Sequence, residues 1–323
     1  MDNKEPIIDN TSKGAAPVNF MEYVFFFLRG LAMGAADVVP GVSGGTIAFI
    51  TGIYERLLNA IKSVNPTALR ILFKEGLPAA WKHVDGSFLA SLFAGIVVSL
   101  VSLSKILKWC LDVYPQLLYA FFFGLIIASS IYIIRQVKGW NSTTIAGLLI
   151  GASIAYTITI LAPTEAPNNY WMVFLAGSIA ISAMILPGIS GSFILLLMGM
   201  YRHVLNAATG LDIGFLLVFI AGCLVGLLSF SHLLSWVFKN YKNTALAILS
   251  GFMIGSLNKV WPWQNVLKTR PDSEGNLVPW IKESVLPSDY NGDTYMLYCV
   301  ILLIIGFSIV FVLERLGKHS NEG

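Results

Sequence analysis

The chain has 323 residues, of which 56% are apolar and only 12% are charged, about half the charged fraction of a soluble domain. Its 21 basic and 18 acidic residues are too few to cover a soluble protein of this size. This composition excludes a disordered chain and an ordinary cytosolic enzyme, and a net charge of +3 argues against a nucleic-acid partner. The bilayer is therefore the expected solvent for most of the chain.

Apolar stretches follow one another along the chain after a polar N-terminal tail at 1–19, which lacks the apolar core of a signal peptide. They are residues 20–36, 46–61, 88–111, 117–134, 144–162, 170–185, 193–208, 215–238, 244–257 and 295–313. A helix needs about 20 residues to cross the hydrocarbon core of a membrane. The pattern predicts an all-α polytopic membrane protein.

Two pairs of these stretches are short and are interrupted by proline and glycine. The first pair is separated by a segment with Pro40-Gly41, and the pair 170–185 and 193–208 is separated by a segment with Pro187-Gly188. Such residues break helices, and broken backbone at membrane depth is tolerated only inside protein or beside water. We predict two re-entrant helical hairpins that enter the membrane and leave by the same face.

The two hairpins repeat one another. With a shift of 147 residues, 14 of 35 positions between Phe27 and Ile61 are identical, including Ser43 with Ser190. A shift of 127 residues continues the match and pairs Trp109 with Trp236. The sequence therefore predicts two homologous membrane repeats, 20–162 and 167–316, the second of which includes a long loop at 258–294.

The number of predicted spans determines how the repeats are oriented. Each repeat has one hairpin and three full spans, and an odd number of spans places the second repeat upside down. The face that carries the termini then holds twelve Lys and Arg residues, against seven on the other face. By the positive-inside rule, both termini are predicted to be cytoplasmic.

Inverted repeats with matching broken helices are typical of secondary transporters, whose sites lie where the breaks meet, although water channels share this architecture. Here the breaks offer small residues and hydroxyls beside two helix N-termini, an arrangement that suits an anion. The candidate phosphate-binding residues of the loops are Ser43, Gly44, Gly45, Thr46, Ser190, Gly191 and Ser192. The alternative is that the glycines only permit the turns and close helix packing.

Ionisable residues attached to the hairpins are few, and charges in a bilayer are functional by default. Arg29 lies two turns before the first break and is a further candidate for the anion. Asp37 could pair with Arg29, cap the loop's N–H groups or take up a proton. Glu55 and Arg202 occupy equivalent positions with opposite charge, so they either pair with one another or extend to the interface. These last three residues are candidates for coupling or gating.

The segment from Arg29 to Thr46, RGLAMGAADVVPGVSGGT, followed by Thr51-Gly52-Ile53-Tyr54-Glu55, resembles the signature of the bacterial undecaprenyl-phosphate translocases, once labelled a domain of unknown function. The segment around Pro187 resembles the second motif of that family. The resemblance implies a flippase in the bacterial plasma membrane that returns this C55 lipid carrier to the cytoplasmic leaflet for cell-envelope synthesis. The second motif has Met184 where the first has Asp37, and Ala176 where the first has Arg29.

Two other functions stay open at this point. One is an ion-coupled transporter of a small anion, and the other is an intramembrane lipid-phosphate phosphatase or transferase. Because the four histidines and three cysteines are scattered, we expect no metal site, no disulfide and no enzyme. The chain has no Walker motif, and no cofactor is predicted. Coupling to a proton or sodium ion, and a homodimer, also stay open.

Overall fold

The computed structural model describes residues 20–39, 41–161, 169–271 and 277–319, and most of them are helical. In the first half the helices are α1 (Phe20–Val38), α2 (Gly44–Ile50), α3 (Tyr54–Ser63), α4 (Pro66–Glu75), α5 (Leu77–His83), α6 (Gly86–Ser102), α7 (Ser104–Val113), α8 (Pro115–Ile134) and α9 (Ser142–Ile160). In the second half they are α10 (Tyr170–Ile185), α11 (Gly191–Leu197), α12 (Tyr201–Thr209), α13 (Ile213–Asn240), α14 (Lys242–Ser256) and α15 (Met296–His319). The predicted tail at 1–19, Pro40 and the junction at 163–166 lie outside the described residues.

The connection between α14 and α15 contains the strands of the fold. A 3₁₀ helix, Leu257–Val260, follows α14 directly, and β1 (Gln264–Pro271) pairs with β2 (Leu277–Ser284) in an antiparallel hairpin. A second 3₁₀ turn, Pro287–Asp289, leads back to α15. The all-α prediction therefore missed this hairpin, which lies within the predicted loop at 258–294.

Three described helices are long and apolar enough to cross a membrane, namely α8, α9 and α13. A fourth span is obtained if α5 and α6, which are bent by 72° at their break, are counted together. The apolar part of α15, Met296–Val312, is shorter, and α14 has 15 residues. The described chain is thus a largely helical, multi-pass membrane protein, with fewer full-length spans by length and composition than the six predicted.

Several predicted stretches are divided by breaks. Residues 88–111 do not form one helix, because α6 ends at Ser102. The rest of the stretch belongs to α7, in which no residue is buried. Lys105 and Lys108 explain this division, because crossing the hydrocarbon core with two charges is costly. Residues 46–61 and 193–208 also form two helices each, because Gly52 and Gly199 adopt positive φ angles of 73° and 69°. The segment 62–87, between two of the predicted apolar stretches, contains α4 and α5.

Glycines allow the main helix pairs to pack with their backbones in contact. Helix α1 packs on α6, and α10 packs on α13. A Cβ atom at Gly95 would collide with the carbonyl oxygen of Phe27, and one at Gly222 would collide with that of Phe174. These two contacts occupy equivalent positions in the two halves, so the repeated sequence produces a repeated helix contact.

The last helices of each half pack against the other half. Helix α9 packs on α14, and α8 packs on α15. Side chains are again excluded from the contacts: a Cβ at Gly124 would collide with the carbonyl oxygen of Leu303, and one at Gly251 with that of Leu148. One hydrophobic core is built mainly from the first half together with side chains of α13, α14 and α15, and a second core is built mainly from the second half.

Candidate functional site

The two helix breaks lie against one another in the interior. We call residues 39–43 the first loop and residues 186–190 the second loop. The hydroxyl of Ser43 donates to the carbonyl oxygen of Leu186 at 3.2 Å, and the N–H of Gly188 donates to the hydroxyl oxygen of Thr46 at 3.1 Å. The hydroxyl of Tyr54 donates to the carbonyl oxygen of Ile185 at 3.0 Å. These bonds join the two halves at the predicted site.

Glycine is required in both loops. Gly41 and Gly188 have φ angles of +90° and +86°, a region in which side chains are strained. Gly45 has a different role, because a Cβ there would lie 2.7 Å from the carbonyl oxygen of Ile185. Glycines thus serve the turns and the close approach of the loops, as the alternative interpretation expected.

The first loop leads into a helix start that already holds an anion. The carboxylate of Asp37 accepts a hydrogen bond from the N–H of Gly44 at 2.7 Å, and the hydroxyl of Ser43 accepts one from the N–H of Gly45 at 3.1 Å. Every residue of α2 is buried. A negative charge beside a helix N-terminus is favourable, so Asp37 acts as the cap that was one of its three predicted roles.

The second loop leads into a helix start without such an anion. No side-chain hydrogen bond caps α11, and the residue at the position of Asp37 is Met184. The hydroxyls of Ser190 and Ser192 lie 2.8 Å apart. Ser190 is buried, whereas Ser192 is exposed. The start of α11 therefore lacks a side-chain acceptor for its backbone N–H groups, and Gly191 itself is buried.

Arg29 lies in α1, in the first arm of the predicted first hairpin, but it does not pair with Asp37 among the described residues. Its guanidinium lies 5.8 Å from the ring centre of Phe26. The neighbouring Arg56 packs on the same ring at 4.6 Å and forms an ion pair with Asp85 at 2.7 Å. The proposed pairing of Arg29 with Asp37 is therefore absent from this conformation, and Arg29 is left as a half-buried cation.

Glu55 and Arg202 do not pair with one another within the described part of the chain. The carboxylate of Glu55 forms an ion pair of 2.7 Å with Lys242, at the start of α14. Arg202 is exposed on α12 and has no ion pair with a described residue. The predicted pairing of Glu55 with Arg202 is therefore not found among the described residues: Glu55 pairs with Lys242 instead, and Arg202 lies at the surface.

Lys259 is a residue that sequence reasoning missed, because it was counted only among the basic residues of the outer face. Its ammonium nitrogen lies 4.0 Å from the ring centre of Phe193 in α11. Its side chain also covers the first loop, since a Cβ at Gly41 would lie 2.6 Å from its Cγ atom. The one signal in the sequence for a special role of Lys259 is its position directly after the apolar stretch 244–257.

Metal binding has no support in the described residues, where no three His, Cys, Asp or Glu residues are grouped to hold an ion. The three cysteines, Cys110, Cys223 and Cys299, are free. The chemistry available at the two loops is thus hydrogen bonding by backbone and hydroxyl groups beside a few cations.

Comparison with known proteins gives a consistent result. A family model described as undecaprenyl phosphate translocase-like matches residues 33–278. A polyprenyl-phosphate transporter of Vibrio cholerae is 45% identical over 302 residues, which cover 92% of this chain and 98% of that protein. One of Staphylococcus aureus is 32% identical over 314 residues, which cover 91% and 97%. No solved structure matches the chain significantly.

Proposed function

The chain belongs to the undecaprenyl phosphate translocase-like family, and we propose that it returns undecaprenyl phosphate from the outer to the cytoplasmic leaflet of a bacterial plasma membrane. The names of two relatives identify them as polyprenyl-phosphate transporters. The observation that carries the proposal is the meeting of the two loops, joined by bonds such as that from Gly188 to Thr46. Inward-pointing loops of this kind suit the headgroup, while the apolar chain stays in lipid.

The headgroup would be held first by the second loop. Its helix start is free of a side-chain cap, and Ser192 is exposed. Backbone N–H groups at Gly191 and the hydroxyls of Ser190 and Ser192 then donate to phosphate oxygens. Arg29 would approach the phosphate later in the cycle, since it has no ion pair with a described residue.

The first loop would take the phosphate only in exchange for Asp37. The carboxylate occupies the N–H of Gly44, and Ser43 and Thr46 are engaged with the second loop. Uptake of a proton by Asp37 would weaken its hydrogen bond from Gly44 and free that N–H for the lipid, whereas Gly45 and Thr46 would become free when Ser43 and the second loop move away. Proton movement with the lipid would also offset the membrane potential, which opposes inward movement of an anion by about 2.3 kcal/mol per charge per 100 mV.

Alternating access would follow from an inverted arrangement of the two repeats, 20–162 and 167–316, with both termini in the cytoplasm. Support comes from the repeated contacts of Gly95 and Gly222 and from the basic-residue count. In the conformation described, the ion pairs of Glu55 with Lys242 and of Arg56 with Asp85 hold α3 against its neighbours. Opening toward the cytoplasm would break them.

The proposed orientation can be tested by cysteine labelling from outside intact cells. We expect Ser288→Cys, beside the β hairpin, to be labelled and Thr67→Cys, on α4, to be protected until the membrane is permeabilised. Labelling of both positions, or of Thr67→Cys alone, would contradict the inverted arrangement.

The proposed transport can be tested with purified protein in vesicles that carry labelled undecaprenyl phosphate. We expect movement between leaflets that undecaprenol does not share, and slower movement for the Ser190→Ala/Ser192→Ala double variant. Ser102→Ala, an exposed serine on α6, is the matched control. Uptake of inorganic phosphate without movement of the lipid would support the small-anion alternative, and release of phosphate from the lipid would support an enzyme.

A further inference from the structure

A cavity of about 390 Å³ lies beside α11, outside the contact between the two loops. It is bounded by the end of α9, by α11, by the 3₁₀ helix Leu257–Val260 and by the β hairpin. Its volume falls within the range of about 300–1,000 Å³ that is usual for small-ligand sites. One wall is polar and the other is apolar, which suits a ligand with a charged head and an apolar tail.

The polar wall carries two ammonium groups. Lys259 lies over the ring of Phe193 at 4.0 Å, and Lys282 lies 5.6 Å from the ring centre of Tyr119. Neither lysine forms an ion pair with a described residue. Glu283 also lines the cavity, but it pairs with neither of them. Aromatic rings offset part of the cost of holding these cations without neutralising their charge.

The two charges act on one another. Burial lowers the pKa of Lys259 to about 8, and the nearby positive charge of Lys282 lowers it as well. Both effects disfavour the charged form of Lys259. An anion placed between the two groups would reverse both effects, because it supplies the missing opposite charge.

The remaining polar groups of the wall are already fixed. The amide nitrogen of Gln264 donates to the carbonyl oxygen of Lys259 at 3.0 Å, and that of Asn258 donates to the hydroxyl of Thr159 at 3.0 Å. The hydroxyl of Ser284 donates to the carbonyl oxygen of Asn258 at 3.3 Å. The backbone around Lys259 is therefore held in place, and its ammonium group remains available to a ligand.

Part of the apolar wall is exposed at the surface of the molecule. Ile160 and Leu161, at the end of α9, line the cavity and are 58% and 53% exposed. These exposures leave the cavity without a closed wall at this end. An isoprenoid chain attached to a headgroup could leave along these residues without crossing polar protein.

We propose that this cavity is a second binding site for a lipid phosphomonoester, in which Lys259 and Lys282 hold the phosphate and the end of α9 receives the start of the chain. The site rests on the proposed function, and it would receive the lipid before the loops do. Lys259 connects the two sites, because its side chain packs on Gly41 of the first loop. A headgroup at Lys259 thus lies one side chain away from the loops.

The site can be tested on the wild-type protein by amine acetylation and mass spectrometry. We expect undecaprenyl phosphate to slow acetylation of Lys259 and Lys282, and to leave Lys268 unchanged. Lys268 is the matched control because it lies on the same hairpin but does not line the cavity. Undecaprenol should protect neither cavity lysine, and inorganic phosphate should protect them only at much higher concentration.

Binding measurements on variants extend the test. We expect Lys259→Gln and Lys282→Gln each to weaken binding of undecaprenyl phosphate about tenfold or more, with Lys259→Arg and Lys268→Gln close to wild type. Equal protection by undecaprenol, or equal potency of inorganic phosphate, would overturn the assignment of a lipid headgroup. Unchanged acetylation in protein that transports the lipid would overturn the site itself. Protection in protein that fails to transport would reject the proposed function and leave the site standing.

Discussion

The first and second loops have nearly the same backbone and different chemistry. Both turn at a glycine with a φ angle near +90°, Gly41 or Gly188, and both lead into a seven-residue helix. The helix start after the first loop is capped by Asp37 and is fully buried. The corresponding start after the second loop has no side-chain cap and has Met184 in place of the acid. The repeated sequence thus gives the two loops the same backbone geometry, whereas the carboxylate of Asp37 makes their helix starts chemically different.

This inequality means that the two copies are not chemically interchangeable. Here one copy carries its own anion at the helix start and the other does not. Lys259 contacts both copies, because its side chain packs on Gly41 of the first loop and its ammonium group lies over Phe193, which follows the second loop.

The largest losses of stability should be equal in the two halves, because they come from the glycine contacts between helices that both halves contain. Gly95→Ala and Gly222→Ala each place a methyl group on a carbonyl oxygen of the facing helix. We expect each to destabilise the protein by about 3 kcal/mol or more, seen as lost monodisperse protein and a lower Tm in detergent.

Gly139→Ala is the control for these substitutions, because the nearest atom to a Cβ at this position, Nδ2 of Asn243, would lie 3.8 Å away. It should leave the Tm unchanged. A large loss for one of the two scaffold glycines and a small loss for the other would contradict the equivalence of the helix contacts.

The next largest effect should separate the two loops. Asp37→Ala leaves the N–H of Gly44 without its partner in a buried helix start, at a cost of about 1–3 kcal/mol. Met184→Ala changes the equivalent position, which is 37% exposed, and should cost less than about 1 kcal/mol. Thermal unfolding of both variants measures the difference, and equal losses would remove the structural distinction between the loops.

Position 37 also tests the proposed coupling of lipid transport to proton movement. Asp37→Asn keeps an acceptor for Gly44 but cannot take up a proton, so we expect exchange of labelled lipid to continue while its dependence on a pH gradient is lost. A variant that keeps the gradient dependence would exclude Asp37 as the proton carrier.

A smaller effect should appear in the pH dependence of lipid binding. The pKa of Lys259 is lowered to about 8, so this lysine is charged below that pH and loses its charge above it. The phosphomonoester is fully ionised there, since its second pKa is about 6. Affinity should therefore fall as the pH rises from 8 to 9, by up to about tenfold per unit.

Other groups facing Lys259 across the cavity are Lys282, Glu283 and Tyr156, and they are unchanged in Lys259→Arg. This variant should lose the fall in affinity between pH 8 and 9, because arginine stays charged. A fall that persists in Lys259→Arg would assign it to one of those other groups.

The smallest effect concerns the exposed charges at equivalent positions. Glu55→Gln removes an ion pair with Lys242 whose side chains are 53% and 57% exposed, and such pairs contribute about 0–1 kcal/mol. Arg202→Gln removes no ion pair with a described residue and should leave the Tm unchanged. Calorimetry on both variants checks this order, and a larger loss for Arg202→Gln would reverse it.

The sequence predicted the features that depend on local pattern. Repeated Pro-Gly segments indicated the two breaks, and the alternative interpretation of the loop glycines indicated turns and close packing. It also identified the family, which the comparison confirmed. The division of 88–111 was missed, although Lys105 and Lys108 give a local reason for it in hindsight.

Other features depend on contacts that local pattern does not encode. The partner of Asp37 is a backbone N–H seven residues away, reached only because the chain reverses at Gly41. The β hairpin contains polar residues and Pro279 in a strand, which weakens the usual strand signal. Lys259 resembled any basic residue after a span, and its role depends on packing against Phe193 from another helix.

The pairing of the last helices between the halves has a consequence for how the protein folds. Helix α9 makes its glycine contact with α14, and α8 makes one with α15. One half produced alone would leave both of these surfaces open to lipid. Neither half is therefore expected to reach its final packing before the other half has been inserted beside it.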